Sequence, residues 1–136
     1  MEPAIRTCHL TKVYGNRVIA VNDMTLEIPQ GTVLGLLGPN GAGKTTTLGL
    51  LLGLQRPSAG YAEVLGRRCG PNAVGVRALV GYLPTNPKLP GNLRPLEYLD
   101  LLGQLCRLSA DVRKPRAPSL LRAVGLALLC FCRLDL

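Results

Sequence analysis

The segment that most restricts what this chain can become is Gly-Pro-Asn-Gly-Ala-Gly-Lys-Thr, at residues 38–45. It matches the pattern G-x-x-x-x-G-K-[ST] at every fixed position. Glycine adopts positive φ at little cost, so a loop this rich in glycine can curl until successive backbone N–H groups point inward. A short apolar run precedes it at residues 32–37, and residues 44–54 follow with leucines at helical spacing. This order predicts a strand buried on both faces, a tight loop and a helix.

Such a loop is typical of a site for a nucleoside triphosphate. The loop amides and the helix N-terminus, which carries about half a positive charge, would hold the phosphates. Lys44 adds a full charge against the β- and γ-phosphates, the Thr45 hydroxyl is placed to ligate Mg²⁺, and Thr46 can donate to the α-phosphate. A glycine-rich turn with an incidental lysine is the alternative, and the coincidence of strand, loop, Lys-Thr and helix argues against it. The predicted phosphate-site residues are Gly38, Pro39, Asn40, Gly41, Ala42, Gly43, Lys44, Thr45 and Thr46.

The composition is that of a globular protein, with 136 residues of which 47% are hydrophobic and 18% charged, and it predicts a single domain. The five cysteines form no C-x-x-C pair and His9 is the only histidine, which argues against a secreted disulfide scaffold and against a zinc site. The longest apolar run, residues 124–132, is far shorter than the roughly 20 residues of a membrane-spanning helix. We therefore expect no membrane span, and because residues 1–6 show no basic region followed by an apolar run, we expect no signal peptide.

The net charge of +8 admits nucleic acid, anionic lipid or nucleotide phosphates as partners. Aromatic residues do not interleave with the basic cluster between residues 107 and 122, so nucleic-acid binding is not predicted. We interpret the cluster as a solvated surface.

Several secondary-structure elements are predicted from apolar alternation, breakers and caps. The predicted strands are residues 4–13, 17–28, 32–37, 61–65 and 79–83, with a turn at residues 15–16 between the first two. The predicted helices are residues 44–54, a helix from Pro95 to about residue 108 with Asn92 as its cap, and residues 120–129 with Ser119 as the cap. Pro84 to Gly91 is predicted as a loop, and Pro115 and Pro118 are expected to break the chain.

Residues 8–15, 20–28 and 35–60 resemble the ATP-binding subunit of ABC transporters, and the likeness is nearly continuous from about residue 4 to 103. The resemblance implies an α/β fold: a P-loop NTPase core with an antiparallel β-subdomain and the start of a helical subdomain. It also implies that Tyr14 stacks on adenine with Val18 beside it, and that the cofactors are ATP and Mg²⁺. A half-buried residue at a strand end is the alternative for Tyr14.

Later parts of the chain depart from the family pattern. Residues 81–84 resemble the lead-in to the Q-loop, but Thr85 stands where the family has Gln or Glu, and its shorter side chain reaches the metal and the attacking water less easily. No signature loop follows. Residues 128–135 end in Asp135 like a Walker B strand, yet Arg133 interrupts the run and Leu136 takes the place of the catalytic Glu. We expect a single incomplete domain, divided at about residue 92, that is truncated before the signature and Walker B.

The resemblance implies an ATP-binding component of an ABC transporter, located in the cytoplasm at the membrane, with a transmembrane permease subunit and a second ATP-binding subunit as partners. Because hydrolysis needs a Walker B Asp, the isolated chain is predicted to bind ATP without hydrolysing it at family-like rates. A different P-loop enzyme, such as a GTPase or small-molecule kinase, is one alternative, although no N-K-x-D motif is present. A truncated, non-hydrolysing nucleotide-binding or interaction module is another.

Overall fold

The computed structural model describes residues 2–85 and 90–127. The centre of the predicted loop at residues 84–91, the end of the predicted helix 120–129, and the segment containing Asp135 lie outside the described residues. The chain forms two compact units, Met1–Tyr82 and Leu83–Leu136. A single domain divided near residue 92 stays a prediction.

The first unit contains a four-stranded antiparallel sheet with the strand order β2-β1-β3-β4. The strands are β1 (Ile5–Tyr14), β2 (Val18–Ile28), β3 (Ala59–Val64) and β4 (Arg67–Arg68). A short 3₁₀ helix, Gly15–Arg17, joins the first two, so that Tyr14 pairs with Val18 and Ile5 pairs with Ile28. The predicted hairpin and the predicted strand near residue 61 are both confirmed.

The β1–β2 ladder is interrupted by register shifts between Thr7 and Val13. His9 and Asp23 take positive φ values of 49° and 47° there. Threonine hydroxyls replace the missing ladder acceptors, because Thr25 Oγ1 accepts from the His9 amide at 2.9 Å and Thr11 Oγ1 accepts from the Asp23 amide at 3.0 Å. Bulges of this kind increase the local twist of a hairpin.

Helix α1 (Lys44–Leu51) packs its apolar side on this sheet. The buried core consists of Leu10, Val21, Leu50 and Ala62. The helix ends three residues earlier than predicted, because Gly53 adopts a φ of 65° and its amide turns back to the Leu50 carbonyl. A second short helix, α2 (Val74–Arg77), follows the sheet.

The two segments predicted as buried strands, residues 32–37 and 79–83, form no strand. Val33 and Leu37 are 100% and 92% exposed, and Leu83 is 87% exposed. An apolar run is typical of a strand that is covered on both faces, but it forms such a strand only where other strands are present to pair with it. Within residues 2–85 and 90–127 neither segment pairs with a strand, which is why both predictions are wrong for the part of the chain described.

The second unit contains α3 (Pro95–Leu105) and α4 (Ala110–Ala123), which pack on each other. Helix α3 is confirmed with Pro95 in its first turn, but its cap is Arg94 and not Asn92. The Glu97 carboxylate accepts from the Arg94 amide at 2.8 Å and so satisfies a backbone donor at the start of the helix.

Helix α4 contradicts the prediction that Pro115 and Pro118 break the chain, since both lie inside it. Ser119 is likewise interior, and the residue before the helix is Ser109. The predicted helix 120–129 is therefore wrong in its bounds, because the helix begins at Ala110 and ends at Ala123. Proline lacks an N–H and removes a helical hydrogen bond at each position. Packing on α3 outweighs that loss: Ala117 and Leu121 are buried, and Arg113 Nε donates to Asp100 Oδ1 at 2.6 Å.

No helix of the described residues has the length and apolar character needed to cross a bilayer.

Candidate nucleotide-binding site

The glycine-rich loop lies against strand β2 through Gly43. Gly38, Gly41 and Gly43 have φ values of 150°, 88° and 81°, as the sequence pattern requires. A Cβ built on Gly43 would lie 2.0 Å from the carbonyl oxygen of Ala20, so no other residue fits without moving backbone. This contact fixes the end of the loop next to the sheet.

Helix α1 begins at the end of the loop and presents its first amides to the loop. The first helical bond joins the Thr47 amide to the Gly43 carbonyl at 2.8 Å, and Gly43 at the N-cap position has no side chain with which to cap the helix. The amides of Lys44, Thr45 and Thr46 precede the first acceptor that a helix provides. Together with the helix dipole they favour an anion at this point.

The Lys44 ammonium is folded over the loop. Its Nζ donates to the carbonyl oxygens of Gly38 at 2.6 Å and Pro39 at 2.7 Å. The loop therefore carries a cation within reach of the same volume toward which the helix amides point. A phosphate entering this volume meets the lysine as a charged donor.

A pocket of about 190 Å³ occupies this position. Its lining residues are Ala20, Asn40, Gly41, Gly43, Lys44, Thr45 and Thr46. Pockets that enclose a drug-sized ligand span roughly 300–1,000 Å³, so this one fits a phosphate chain and leaves the rest of a nucleotide outside. The sequence reasoning missed Ala20, because an alanine in a strand gives no signal until the loop is placed against it.

The aromatic residue predicted to stack on adenine lies at the end of β1. Tyr14 is 40% exposed and its hydroxyl donates to Gln55 Oε1 at 2.5 Å. The Thr46 hydroxyl lies 3.3 Å from the same phenol oxygen, which brings together two residues predicted from separate motifs. Val18 is paired with Tyr14 across the hairpin and is 58% exposed. Gln55 was not predicted, and nothing in its sequence context marks it.

Lys12 contacts the ring of Tyr14. Its Nζ lies 5.1 Å from the ring centroid and donates to the Arg56 carbonyl at 2.7 Å. A cation at this distance is attracted to the face of an aromatic ring. One face of Tyr14 is therefore occupied by protein.

The family model described as ABC transporter matches residues 21–128, which is most of the chain. The chain belongs to the ABC transporter family. The matched residues include the whole glycine-rich loop and α1.

Curated ABC transporter proteins from bacteria align with the chain along most of its length. It is 43% identical over 129 residues to an uncharacterized ABC transporter ATP-binding protein of Nostoc sp., an alignment that covers 90% of the chain and 38% of that relative. It is 43% identical over 110 residues to Nod factor export ATP-binding protein I of Cupriavidus pinatubonensis, covering 81% of the chain and 34% of that relative. It is 39% identical over 126 residues to daunorubicin resistance ATP-binding protein DrrA3 of Streptomyces coeruleorubidus, covering 93% and 40%. The chain thus spans about two fifths or less of the length of these relatives.

Solved structures agree with the fold. An ATP-binding subunit of an ABC transporter superposes with a TM-score of 0.77 at 30% identity, covering 97% of this chain and 53% of that one. A dimeric ATP-binding cassette in a post-hydrolysis state, bound to ADP and Pi, superposes with a TM-score of 0.75 at 22% identity, covering 89% and 57%. The predicted α/β class with a P-loop NTPase core is therefore confirmed.

Five of the predicted nucleotide-binding residues do not line the pocket: Tyr14, Val18, Gly38, Pro39 and Ala42. Two further predicted positions, Thr85 and Asp135, lie elsewhere in the sequence. Thr85, predicted to stand at the Q-loop position, is exposed and belongs to the second unit. Asp135 lies outside the described residues. The roles given to both stay predictions.

Proposed function

We propose that the chain binds ATP with Mg²⁺ and is the ATP-binding component of an ABC transporter. The pocket at the start of α1 carries this proposal, because it combines free helix amides, glycine-enforced curvature and the Lys44 ammonium in one small volume. Each of these features favours a polyanion, and all of them lie within one short loop. The family's ATP-binding relatives support the same conclusion.

Different residues would bind the phosphates and the adenine of the nucleotide. The loop from Gly38 to Gly43 and the first turn of α1 hold the phosphates, with Lys44 against the outer two. Tyr14 stacks on adenine with the face that Lys12 leaves free, and Val18 packs beside it. Stacking of a base on an aromatic ring is worth about 1–3 kcal/mol.

Magnesium would be held mainly by the nucleotide. The Thr45 hydroxyl is the residue proposed to ligate it, since Mg²⁺ prefers oxygen and commonly takes one or two protein ligands together with substrate phosphates and water. The ion would supply positive charge to the phosphate oxygens. Thr45 lines the pocket, and an ion must lie there to contact both the Thr45 hydroxyl and the phosphate oxygens.

The partners are proposed from the family. A transmembrane permease subunit would give the chain its place at the cytoplasmic side of a membrane, and a second ATP-binding subunit would complete the nucleotide site. No nucleic-acid partner is proposed.

Isothermal titration of the 136-residue chain with ATP and Mg²⁺ tests the proposal. Lys44→Ala removes a charged donor, and such hydrogen bonds are worth about 1.5–3 kcal/mol, so we expect the Kd to rise roughly 10- to 150-fold. Arg67→Ala is the matched control, because it removes one positive charge from β4, at the opposite edge of the sheet from β2. Absence of binding by a chain that circular dichroism shows to be folded would overturn the proposal.

A further inference from the structure

The side chain of Gln55 is held in place from the end of α1. The amides of Leu54 and Gln55 both donate to the Gly49 carbonyl, at 2.9 and 3.2 Å. The side chain then folds over the same residue, because a Cβ built on Gly49 would lie 3.1 Å from Gln55 Nε2 and 3.3 Å from its Cδ. Gly49 is buried, so this contact leaves the amide group of Gln55 little freedom.

The amide oxygen of Gln55 is the acceptor for the phenol of Tyr14. A phenol has one proton, and Tyr14 gives it to Gln55 Oε1 at 2.5 Å. Thr46 must then be the donor in the 3.3 Å contact with the phenol oxygen. The three groups form one chain of hydrogen bonds, from Thr46 through Tyr14 to Gln55, that links the phosphate end of the site to the adenine end.

A bound nucleotide would give the Thr46 hydroxyl a new hydrogen-bond acceptor, while the Tyr14 hydroxyl would keep its bond to Gln55. The Thr46 hydroxyl also has a single proton, and a phosphate oxygen is the stronger acceptor because the bond is charge-assisted. Once Thr46 turns to the phosphate, Gln55 is the remaining hydrogen-bond partner that the structure gives the phenol. With Lys12 on one face of the ring, the hydroxyl anchor sets the orientation that the other face presents to a base.

We propose that Gln55 is a positioning residue of the adenine part of the site, which holds the Tyr14 ring in its stacking orientation by accepting the phenol proton. This inference rests on the proposed function. It assigns a role in base recognition to a residue outside the glycine-rich loop.

The test compares two ligands, ATP and inorganic tripolyphosphate, each with Mg²⁺, by isothermal titration of the full chain. Gln55→Leu removes the acceptor, so we expect the Kd for ATP to rise about fivefold, the change that corresponds to one ordinary hydrogen bond, while the Kd for tripolyphosphate stays unchanged. Gln55→Glu keeps an acceptor oxygen and should retain the preference for ATP over tripolyphosphate. Gln30→Leu is the matched control, because Gln30 bonds only the Glu2 carbonyl in the described residues, and it should change neither Kd.

Tyr14→Phe removes the same bond from its other side. It should weaken ATP binding by the same factor as Gln55→Leu, and the double variant should be no weaker than either single one. This variant also keeps the inference testable if Gln55→Leu fails to fold, which thermal melting monitored by circular dichroism reports.

The outcomes separate the two claims. An unaltered, folded chain that binds neither ligand overturns the proposed function and this inference with it. An unaltered chain that binds tripolyphosphate as tightly as ATP overturns the inference and leaves the phosphate site standing. Equal weakening of both ligands by Gln55→Leu, an unchanged ATP affinity, or additive effects in the double variant each overturn the inference alone.

Discussion

Replacing Gly43 with alanine should destabilise the chain more than the same change at Gly41, another glycine of the same loop with positive φ. Gly43 has a φ of 81°, and its added Cβ would lie 2.0 Å from the Ala20 carbonyl oxygen and 3.1 Å from the carbonyl carbon. The left-handed conformation costs a residue with a Cβ about 1–2 kcal/mol. Forcing the extra methyl against backbone costs about 1–3 kcal/mol more. The expected loss in the free energy of unfolding is therefore about 2–5 kcal/mol.

Two neighbouring glycines separate these contributions. Gly41 has a φ of 88° but nothing within 4 Å of its added Cβ, so Gly41→Ala should cost only the conformational part, about 1–2 kcal/mol. Gly35 has neither a positive φ nor a close neighbour, and Gly35→Ala should change stability by about 0.5 kcal/mol at most.

Urea unfolding followed by far-ultraviolet circular dichroism measures all three variants, with an unchanged dependence on urea as the sign that only stability has altered. Since the clash lies between the loop and β2, Gly43→Ala should also weaken ATP binding in the part of the population that remains folded. Equal losses of stability for Gly43→Ala and Gly41→Ala would refute the reasoning, because they would show that the contact with Ala20 has no energetic consequence.

Two further predictions concern titrating groups. Hydrogen bonds from Arg113 and Gln104 lower the pKa of the Asp100 carboxyl. At pH values above its ordinary pKa of 3.8, the ionised carboxylate therefore stabilises the second unit. This stabilisation is lost as the pH falls through the lowered pKa of the folded state. Melting temperatures of Asp100→Asn and the unaltered chain should therefore differ at about pH 6 and converge towards about pH 3; a constant difference contradicts this. Burial raises the pKa of the Cys69 thiol to about 11, while Cys106 is exposed. Iodoacetamide at about pH 8, with the labelled peptides identified by mass spectrometry, should modify Cys106 well before Cys69, and the reverse order would show that Cys69 is accessible as a thiolate.

Local signals predicted much of the first unit. The β1–β2 hairpin follows from alternating apolar residues around Gly15, and the glycine-rich loop follows from a pattern in which each residue type has a separate physical reason. Both depend on interactions between residues close in sequence. For the same reason the positions of α1 and α3 were predicted to within a few residues.

Features that depend on distant partners were not predictable in this way. The apolar runs at residues 32–37 and 79–83 looked like central strands, but pairing is decided by other strands and not by the run itself. Pro115 looked like a breaker, and packing on α3 overrode it. Ala20 and Gln55 became visible as parts of the site only when the loop and the end of α1 were placed beside β2 and Tyr14.

Within the described residues, the glycine-rich loop is anchored differently at its two ends. Gly43 and α1 fix its carboxyl end, whereas residues 32–37 lead into its other end without a strand partner. Closing the loop on a ligand must also hold this leading segment still, at a cost in conformational entropy. A strand that paired with residues 32–37 would remove that cost in advance, and by thermodynamic reciprocity the ligand would strengthen the pairing by the same factor. Sheet completion and ligand affinity would then be two measures of one coupling free energy.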